Sequence, residues 1–267
     1  MWSSFLGAAY PHSYQSKVQI LADILEIKNL NKKFGGVIAT KSLNLSISKG
    51  NLHAIIGPNG AGKTTLISQI FGQIFPDSGQ IFFQDINVTK VSEYKKSRLG
   101  INRTFQITSV MKSLTVSENI QLATKITREN SLNFFKASNN QTTILNKIDF
   151  CLRQVGLIKA INQPVTSLSH GDCSKLEIAM ALASDAQLLL LDEPMAGLGP
   201  TETKEMIALL KRLKGQRTIL IIEHDMDAVF ALADQISVLV SGEIIATGKP
   251  DTIRRNSKVQ SAYLGEI

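Results

Sequence analysis

The sequence predicts an α/β fold with a parallel-sheet core covered by helices. After Pro164, apolar segments of strand length alternate with amphipathic segments of helix length, a pattern typical of a parallel sheet covered on both faces. Four consecutive leucines within residues 187–191 predict a strand buried on both faces. Near the start of the chain, residues 24–30 and 43–48 alternate between apolar and polar side chains, which predicts an antiparallel β meander.

The first part of the chain leads into a Gly-rich loop. Residues 1 to about 22 show no clear hydrophobic period, so residues 1–23 are predicted to be an N-terminal extension. The stretch 31–36 ends in Gly-Gly and is predicted to be a turn. The other elements predicted in this part are strands at 24–30, 43–48, 52–56 and 80–86, and an amphipathic helix at 66–71.

The pattern changes in the middle of the chain. From about residue 91 to 165 it is helical with polar interruptions, which predicts a helical lobe inserted into the core, with a polar loop at 138–143. The alternation then resumes. The elements predicted after the lobe are helices at 173–183, 202–214 and 225–232, and strands at 187–191, 218–223, 236–240 and 243–246.

Composition narrows the classes of partner. The 267 residues are 43% hydrophobic and carry a formal net charge of +7, with the basic side chains spread along the chain rather than clustered. Because the charge is not clustered, nucleic acid is not an expected partner. Docking near an anionic membrane surface accounts for the excess positive charge at least as well as nucleic acid does. Cys151 and Cys173 lack metal-ligand spacing and predict reduced thiols. No apolar stretch approaches the length that spans a bilayer, so any membrane role is expected to come through a partner.

Residues 57–64 read Gly-Pro-Asn-Gly-Ala-Gly-Lys-Thr, which is the phosphate-binding motif G-x-x-x-x-G-K-[ST] between a predicted strand and helix. Its glycines let backbone N–H groups approach an anion, and the N-terminus of the following helix adds further donors. Lys63 is predicted to reach the β- and γ-phosphates, and the Thr64 hydroxyl to bind Mg²⁺. The motif predicts binding of a nucleoside triphosphate. The predicted contact residues are Gly57, Pro58, Asn59, Gly60, Ala61, Gly62, Lys63, Thr64 and Thr65.

Two carboxylates end the predicted strand at 187–191. In a fold with this phosphate-binding loop, Asp192 is expected to meet Mg²⁺, and Glu193 to act as general base on the attacking water. The alternative is that the two acidic residues only terminate a strand before Pro194.

A second anion site is predicted at Ser169 and Gly171, in the stretch Leu-Ser-His-Gly-Asp before the helix at 173–183. The Ser169 hydroxyl, the Gly171 N–H and the helix N-terminus are its donors. Because one chain rarely needs two γ-phosphate sites so far apart, we expect a head-to-tail pair in which each subunit closes the other's nucleotide pocket. Taken alone, the stretch is explained equally well by an ordinary N-cap serine.

Together these motifs resemble the ATP-binding subunits of ABC transporters, over residues 24–265. Residues 57–64 resemble Walker A, residues 188–192 Walker B, and Glu193 the catalytic glutamate. The resemblance implies an ABC-type P-loop NTPase fold, ATP and Mg²⁺ as cofactors, and ATP hydrolysis coupled to transport. It also implies a transmembrane permease, a second ATP-binding subunit and, indirectly, a substrate-binding protein as partners. The expected location is cytoplasmic, with the protein bound peripherally to the inner face of the cell membrane.

Three further residues take their expected roles from the resemblance. Gln106 resembles the Q-loop glutamine that contacts Mg²⁺ and the water, and His224 the switch histidine that holds the γ-phosphate. Phe34 matches the aromatic residue that stacks on adenine, although by itself it reads as an ordinary turn residue. The signature departs from the family pattern at His170 and Asp172, and the D-loop carries Gly199 in place of its usual Asp or Asn.

The subgroup is indicated by Arg103–Gln106, Ile222–Met226 and Ala262–Glu266, which look most like the ATPases of branched-chain amino acid importers. Urea-type importers share much of this pattern, and lipopolysaccharide exporters share the tail. A DNA-associated ABC ATPase is the alternative from another class, suggested by the positive charge. Such proteins carry a long coiled coil, whereas no sustained heptads occur here.

Overall fold

The computed structural model describes residues 23–104, 110–126 and 137–264. Within these ranges it contains two β-sheets and the helices that cover them. The strands are β1 (Asp23–Phe34), β2 (Val37–Ser48), β3 (Leu52–Ile56), β4 (Ser78–Phe83), β5 (Ile86–Asn87), β6 (Ile101–Thr104), β7 (Leu188–Asp192), β8 (Thr218–Ile222), β9 (Gln235–Val240) and β10 (Glu243–Gly248). The helices are α1 (Lys63–Phe71), α2 (Glu93–Leu99), α3 (Val116–Ile126), α4 (Ala137–Val155), α5 (His170–Ala183), α6 (Pro200–Leu213), α7 (Met226–Leu232), α8 (Pro250–Arg254) and α9 (Ser257–Leu264).

The two sheets differ in direction. In the six-stranded sheet, of order β10-β9-β3-β8-β7-β6, all neighbours are parallel except β10, which runs antiparallel to β9. The four-stranded sheet, of order β2-β1-β4-β5, is antiparallel throughout. The predicted α/β class, with a parallel-sheet core and an antiparallel meander, is confirmed.

The six-stranded sheet is buried on both faces, as its leucine-rich strand predicts. Leu189 and Leu191 of β7 pack into a cluster with helices α3 to α7. Leu188 and Leu190 point the other way, into a cluster that includes α1 and strands of the antiparallel sheet. Because side chains alternate along a strand, one run of four leucines supplies both cores.

The predicted turn at 31–36 is shorter than expected. Strand β1 continues to Phe34, which pairs with Val37, so only Gly35 and Gly36 make the hairpin. The polar stretch stays extended because Asp77 binds it from the side. Its carboxylate accepts the backbone N–H of Lys33 at 2.8 Å and lies 2.7 Å from the Lys32 ammonium.

The middle of the chain differs from the prediction in two ways. The range 91–165 is not wholly helical, because it includes β6, which forms an edge of the six-stranded sheet. The polar loop predicted at 138–143 is wrong, since these residues lie in α4. A helix needs apolar side chains only where it packs: Ile148, Leu152 and Val155 are buried, while the more N-terminal Leu145 is 58% exposed.

Across the described ranges, no helix combines the length and the apolar character needed to cross a membrane.

Candidate nucleotide site

The sheet order brings distant parts of the sequence to one edge. Strands β3, β8 and β7 are parallel neighbours, so the segments that follow Ile56, Ile222 and Asp192 leave the sheet side by side. Ligand sites of parallel sheets form at these carboxyl ends. A cavity of about 280 Å³ lies there, lined by Phe34, Val37, Ala39, Asn59, Gly60, Ala61, Gly62, Lys63, Thr64, Thr65, Glu193 and His224.

The loop at 57–64 is held close to two neighbouring strands. A Cβ atom at Gly57 would lie 2.0 Å from the carbonyl oxygen of Leu239, and one at Gly62 would lie 2.0 Å from that of Ala39. Gly62 also has φ 105°, in the left-handed region, and begins α1 without a side-chain cap. Only glycine fits at these two positions, and the uncapped N–H groups of the first turn are suited to an anion.

Lys63 lies across this loop. Its ammonium donates hydrogen bonds to the carbonyl oxygens of Gly57 at 2.6 Å and Pro58 at 2.9 Å, and the residue is buried. The charge is thereby held beside the loop backbone, and its contact with the β- and γ-phosphates stays a prediction.

Phe34 is at the rim of the cavity. It ends β1, and 47% of its surface is exposed, although the aromatic ring is large and apolar. The ammonium of Lys32 lies 5.2 Å from the ring centroid. An exposed aromatic face beside a phosphate-binding loop is suited to stacking on a planar base.

Asp192 is fully buried and paired with a residue that the sequence analysis missed. The Arg103 guanidinium lies 2.7 Å from Asp192 Oδ2 and also donates to Ser68 Oγ at 2.9 Å. Burial raises the pKa of Asp192, and the guanidinium opposes the rise. Strand register brings the two together: Arg103 pairs with Leu190, two residues before Asp192, so both side chains lie on one face, and no local sequence pattern signals this.

The other carboxylate oxygen of Asp192, Oδ1, has no hydrogen-bond partner among the described residues. A buried carboxylate oxygen and the threonine hydroxyls of the loop are oxygen ligands of the type that Mg²⁺ prefers. The described residues contain no cluster of three or more His, Cys, Asp or Glu side chains that could hold a metal by themselves. Mg²⁺ typically takes only one or two protein carboxylates together with substrate phosphates, so the residues present fit this ion.

Glu193 and His224 meet across the edge of the cavity. His224 Nε2 lies 2.6 Å from Glu193 Oε1. The His224 side chain is 47% exposed and that of Glu193 is 23% exposed. Glu193 has φ 51°, which is rare for a residue with a side chain and costs about 1 kcal/mol. Its N–H donates to the carbonyl oxygen of Ile222 at 2.9 Å, which ties this turn to the end of β8.

A second buried carboxylate, Glu223, was also missed by the sequence analysis. It accepts the N–H of Met195 at 2.9 Å and that of His224 at 3.2 Å. Burial raises the pKa of Glu223, while these N–H groups and that of Asp225 oppose the rise. An acidic residue directly after an apolar strand was the only local signal.

The residues of the predicted second anion site do not line this cavity, and a carboxylate of the chain itself binds there. Helix α5 begins at His170, three residues earlier than predicted, with Ser169 as its N-cap accepting the Asp172 N–H at 3.1 Å. The Ser169 hydroxyl donates to Glu202 Oε1 at 3.1 Å. The Glu202 pKa is lowered by the N–H of Gly199, then by Ser169, with a smaller part from the N–H of Gly171. Glu202 thus lies against two of the three predicted donors, the Ser169 hydroxyl and the Gly171 N–H.

Two residues that depart from the family pattern, His170 and Gly199, make contacts around this second site. His170 Nε2 lies 3.2 Å from the carbonyl oxygen of Ala196, which links the signature to the D-loop segment. Gly199 is the N-cap of α6, and its N–H donates to Glu202 Oε2 at 3.1 Å. Gln106, predicted to contact both Mg²⁺ and water, lies outside the described residues, as do residues 1–22 of the predicted extension.

Comparison with protein families gives two matches. Residues 40–196 match the family described as ABC transporter. Residues 243–266 match the family described as branched-chain amino acid ATP-binding cassette transporter.

Similar proteins are found among curated sequences and solved structures. The chain is 36% identical to the "High-affinity branched-chain amino acid transport ATP-binding protein LivG" of Escherichia coli (strain K12), over 91% of this chain and 98% of LivG. It is 35% identical to the corresponding protein BraF of Pseudomonas aeruginosa, again over 91% and 98% of the two chains. The crystal structure of the ADP conformation of MJ1267, an ATP-binding cassette of an ABC transporter, superposes with a TM-score of 0.80 at 32% identity, over 91% of this chain and 99% of that one.

Proposed function

Because this chain belongs to the ATP-binding subunits of ABC transporters, in the branched-chain amino acid group, we propose that it powers the import of branched-chain amino acids through a separate membrane permease. Members of this family bind nucleotide and act as ATPases, and so does this chain. The observation that carries the proposal is the convergence of the phosphate-binding loop, Asp192 and the Glu193–His224 pair at one edge of the sheet. The choice of cargo is supported by the relatives and by the match at residues 243–266.

In this proposal the phosphate-binding loop holds the triphosphate. The N–H groups of the loop and of the first turn of α1 bind phosphate oxygens, and the Lys63 ammonium turns from the loop carbonyls toward the β- and γ-phosphates. The side chain of Phe34 stacks on the adenine ring, which its position at the cavity rim supports.

Glu193 is the proposed general base. Its carboxylate accepts a proton from the water that attacks the γ-phosphorus, while the bond from that phosphorus to the bridging oxygen breaks and ADP leaves. His224, 2.6 Å from Glu193 Oε1, keeps the carboxylate oriented and holds the γ-phosphate. Thr64, Asp192 and Gln106 are the residues that would hold Mg²⁺, which when bound supplies positive charge to the phosphates.

We further infer that two ATP-binding subunits act together. A bacterial ABC transporter cassette named MJ0796, 25% identical with a TM-score of 0.72, has a dimeric structure. In a head-to-tail dimer, Ser169 and Gly171 of one copy would complete the phosphate site of the other. The permease would hold this pair at the inner face of the cell membrane, and a substrate-binding protein would deliver the cargo.

The test is reconstitution of the chain with its permease and substrate-binding protein in liposomes. Leucine, isoleucine or valine should stimulate ATP hydrolysis and be taken up, whereas urea should do neither. Stimulation by urea, or ATP-dependent release of a lipid from the membrane, would instead assign the subunit to one of the other two transporter types.

A further inference from the structure

We propose that Glu223 is a positioning residue for ATP hydrolysis, whose buried carboxylate fixes the backbone from which Glu193 and His224 meet. The proposal rests on the roles proposed above for these two residues. It adds a residue that does not itself line the nucleotide cavity and that acts through hydrogen bonds to backbone.

One carboxylate bridges two separate loops. Oε1 of Glu223 accepts the N–H of Met195, in the loop after β7, at 2.9 Å. Oε2 accepts the N–H of His224, at the start of the loop after β8, at 3.2 Å. The residue is only 5% exposed, so these bonds are shielded from water. Bonds from a charged acceptor in such a place are stronger than neutral ones.

The loop after β7 contains a backbone N–H that is bound by an acceptor from another loop. Glu193 holds its unfavourable φ of 51° in a turn closed by the Ala196 N–H, which donates to the Glu193 carbonyl oxygen at 3.0 Å. Pro194 within the turn has no N–H. The Met195 N–H is therefore the group by which the centre of this turn can be tied down, and it is Glu223 that binds it.

These bonds complete a ring. It runs from the Glu193 side chain along the backbone to Met195, across the Glu223 carboxylate to His224, and back through the 2.6 Å contact between His224 Nε2 and Glu193 Oε1. The neighbouring carboxylate of Asp225 is already used as the N-cap of α7, accepting the N–H groups of Asp227 and Ala228. Loss of Glu223 opens the ring, and displacements of about 1 Å at reacting groups can cost about 100-fold in rate.

Glu223→Gln and Glu223→Asp test the proposal in the reconstituted transporter. The amide of Gln has one acceptor oxygen, so it can serve only one of the two loops, whereas Asp keeps both oxygens on a shorter side chain. Glu223→Gln should lower kcat by about 10- to 100-fold, by analogy with residues that orient metal ligands through hydrogen bonds, with ATP affinity within about twofold of the parent. Glu223→Asp should retain more activity than Glu223→Gln.

Asp234→Asn is the matched control. Asp234 likewise accepts a backbone N–H, that of Leu52 at 2.9 Å, and pairs with Lys214 at 2.6 Å, but it lies at the opposite end of β3. This change should lower thermal stability without lowering kcat per bound ATP. In a chain labelled with ¹⁵N-histidine, Glu223→Gln should shift the His224 ring resonances, while Asp234→Asn should not.

The outcomes separate the two proposals. If Glu193→Gln hydrolyses ATP at the parent rate, the roles given under the proposed function fail. If Glu193→Gln is inactive while Glu223→Gln keeps a kcat within about twofold of the parent, only the positioning role fails. Should Glu223→Gln not fold, a parent kcat in Glu223→Asp together with unshifted His224 resonances would overturn it.

Discussion

The two predicted anion sites of this chain differ in what holds their donors. The first turn of α1 begins at Gly62 without a side-chain cap and opens onto the cavity. The first turn of α5 begins at Ser169, and its predicted donors are taken by the carboxylate of Glu202 from α6. One site is therefore ready for an outside anion, while the other already binds an anion of its own chain. In the dimer proposed above, ATP would therefore bind the first site before phosphate replaces Glu202 at the second.

The largest expected effect comes from Glu193→Gln, which removes the proposed base and leaves both anion sites intact. Loss of general base catalysis typically costs about 100- to 10,000-fold, so turnover should fall by this factor while ATP binding stays unchanged. ATP should then hold the two sites together, and size-exclusion chromatography with light scattering should detect a dimer. A variant that stays monomeric at saturating ATP would show that the second site does not engage.

Lys63→Ala tests the site that is ready for ATP. Hydrogen bonds to charged groups contribute about 1.5–3 kcal/mol, so ATP affinity should fall by about 10- to 100-fold. Fluorescence titration with a labelled ATP analogue measures this directly. Unchanged affinity in this variant would contradict the assignment of the loop at 57–64.

Ser169→Ala tests the site that is already filled. Because this site is proposed to act only on the partner's nucleotide, ATP binding to the monomer should be unchanged. Removal of one hydrogen-bond donor to a phosphate costs about 1–2 kcal/mol, so the ATPase rate of the assembled transporter should fall by about 5- to 30-fold. A weaker ATP affinity of the isolated monomer would contradict the separation of the two sites.

Glu202→Gln is expected to have the smallest effect, in the opposite direction. The change removes the charge that competes with phosphate, so less ATP should be needed for dimerisation, by about two- to fivefold for a difference of 0.5–1 kcal/mol. Glu205→Gln is the matched control, because Glu205 also lies on α6 and binds α5, but through Lys175, at 2.6 Å, rather than through Ser169. Equal shifts in both variants would mean that Glu202 does not compete with phosphate.

The site residues that were predicted from the sequence lie in local patterns. Those that were missed act through partners that are distant along the chain. The loop at 57–64 is a local strand–loop–helix pattern, and Asp192 and Glu193 directly follow a run of leucines. Arg103 and Asp192 are 89 residues apart, Ser169 and Glu202 are 33 apart, and Met195 and Glu223 are 28 apart. Such pairs exist only once the strand order is known, and no local pattern encodes it. The error at 138–143 was local in origin, because a run of polar residues within a helix resembles a loop.

The pairing of Arg103 with Asp192 has a consequence for ion selectivity. With Oδ2 held by the guanidinium, Asp192 presents one oxygen, Oδ1, to a cation. Ca²⁺ accepts six to eight oxygen ligands and often takes both oxygens of a carboxylate, whereas Mg²⁺ requires an octahedral set built from single oxygens and water. At the proposed Mg²⁺ site, the hydrogen bond from Arg103 to Asp192 therefore favours Mg²⁺ over Ca²⁺.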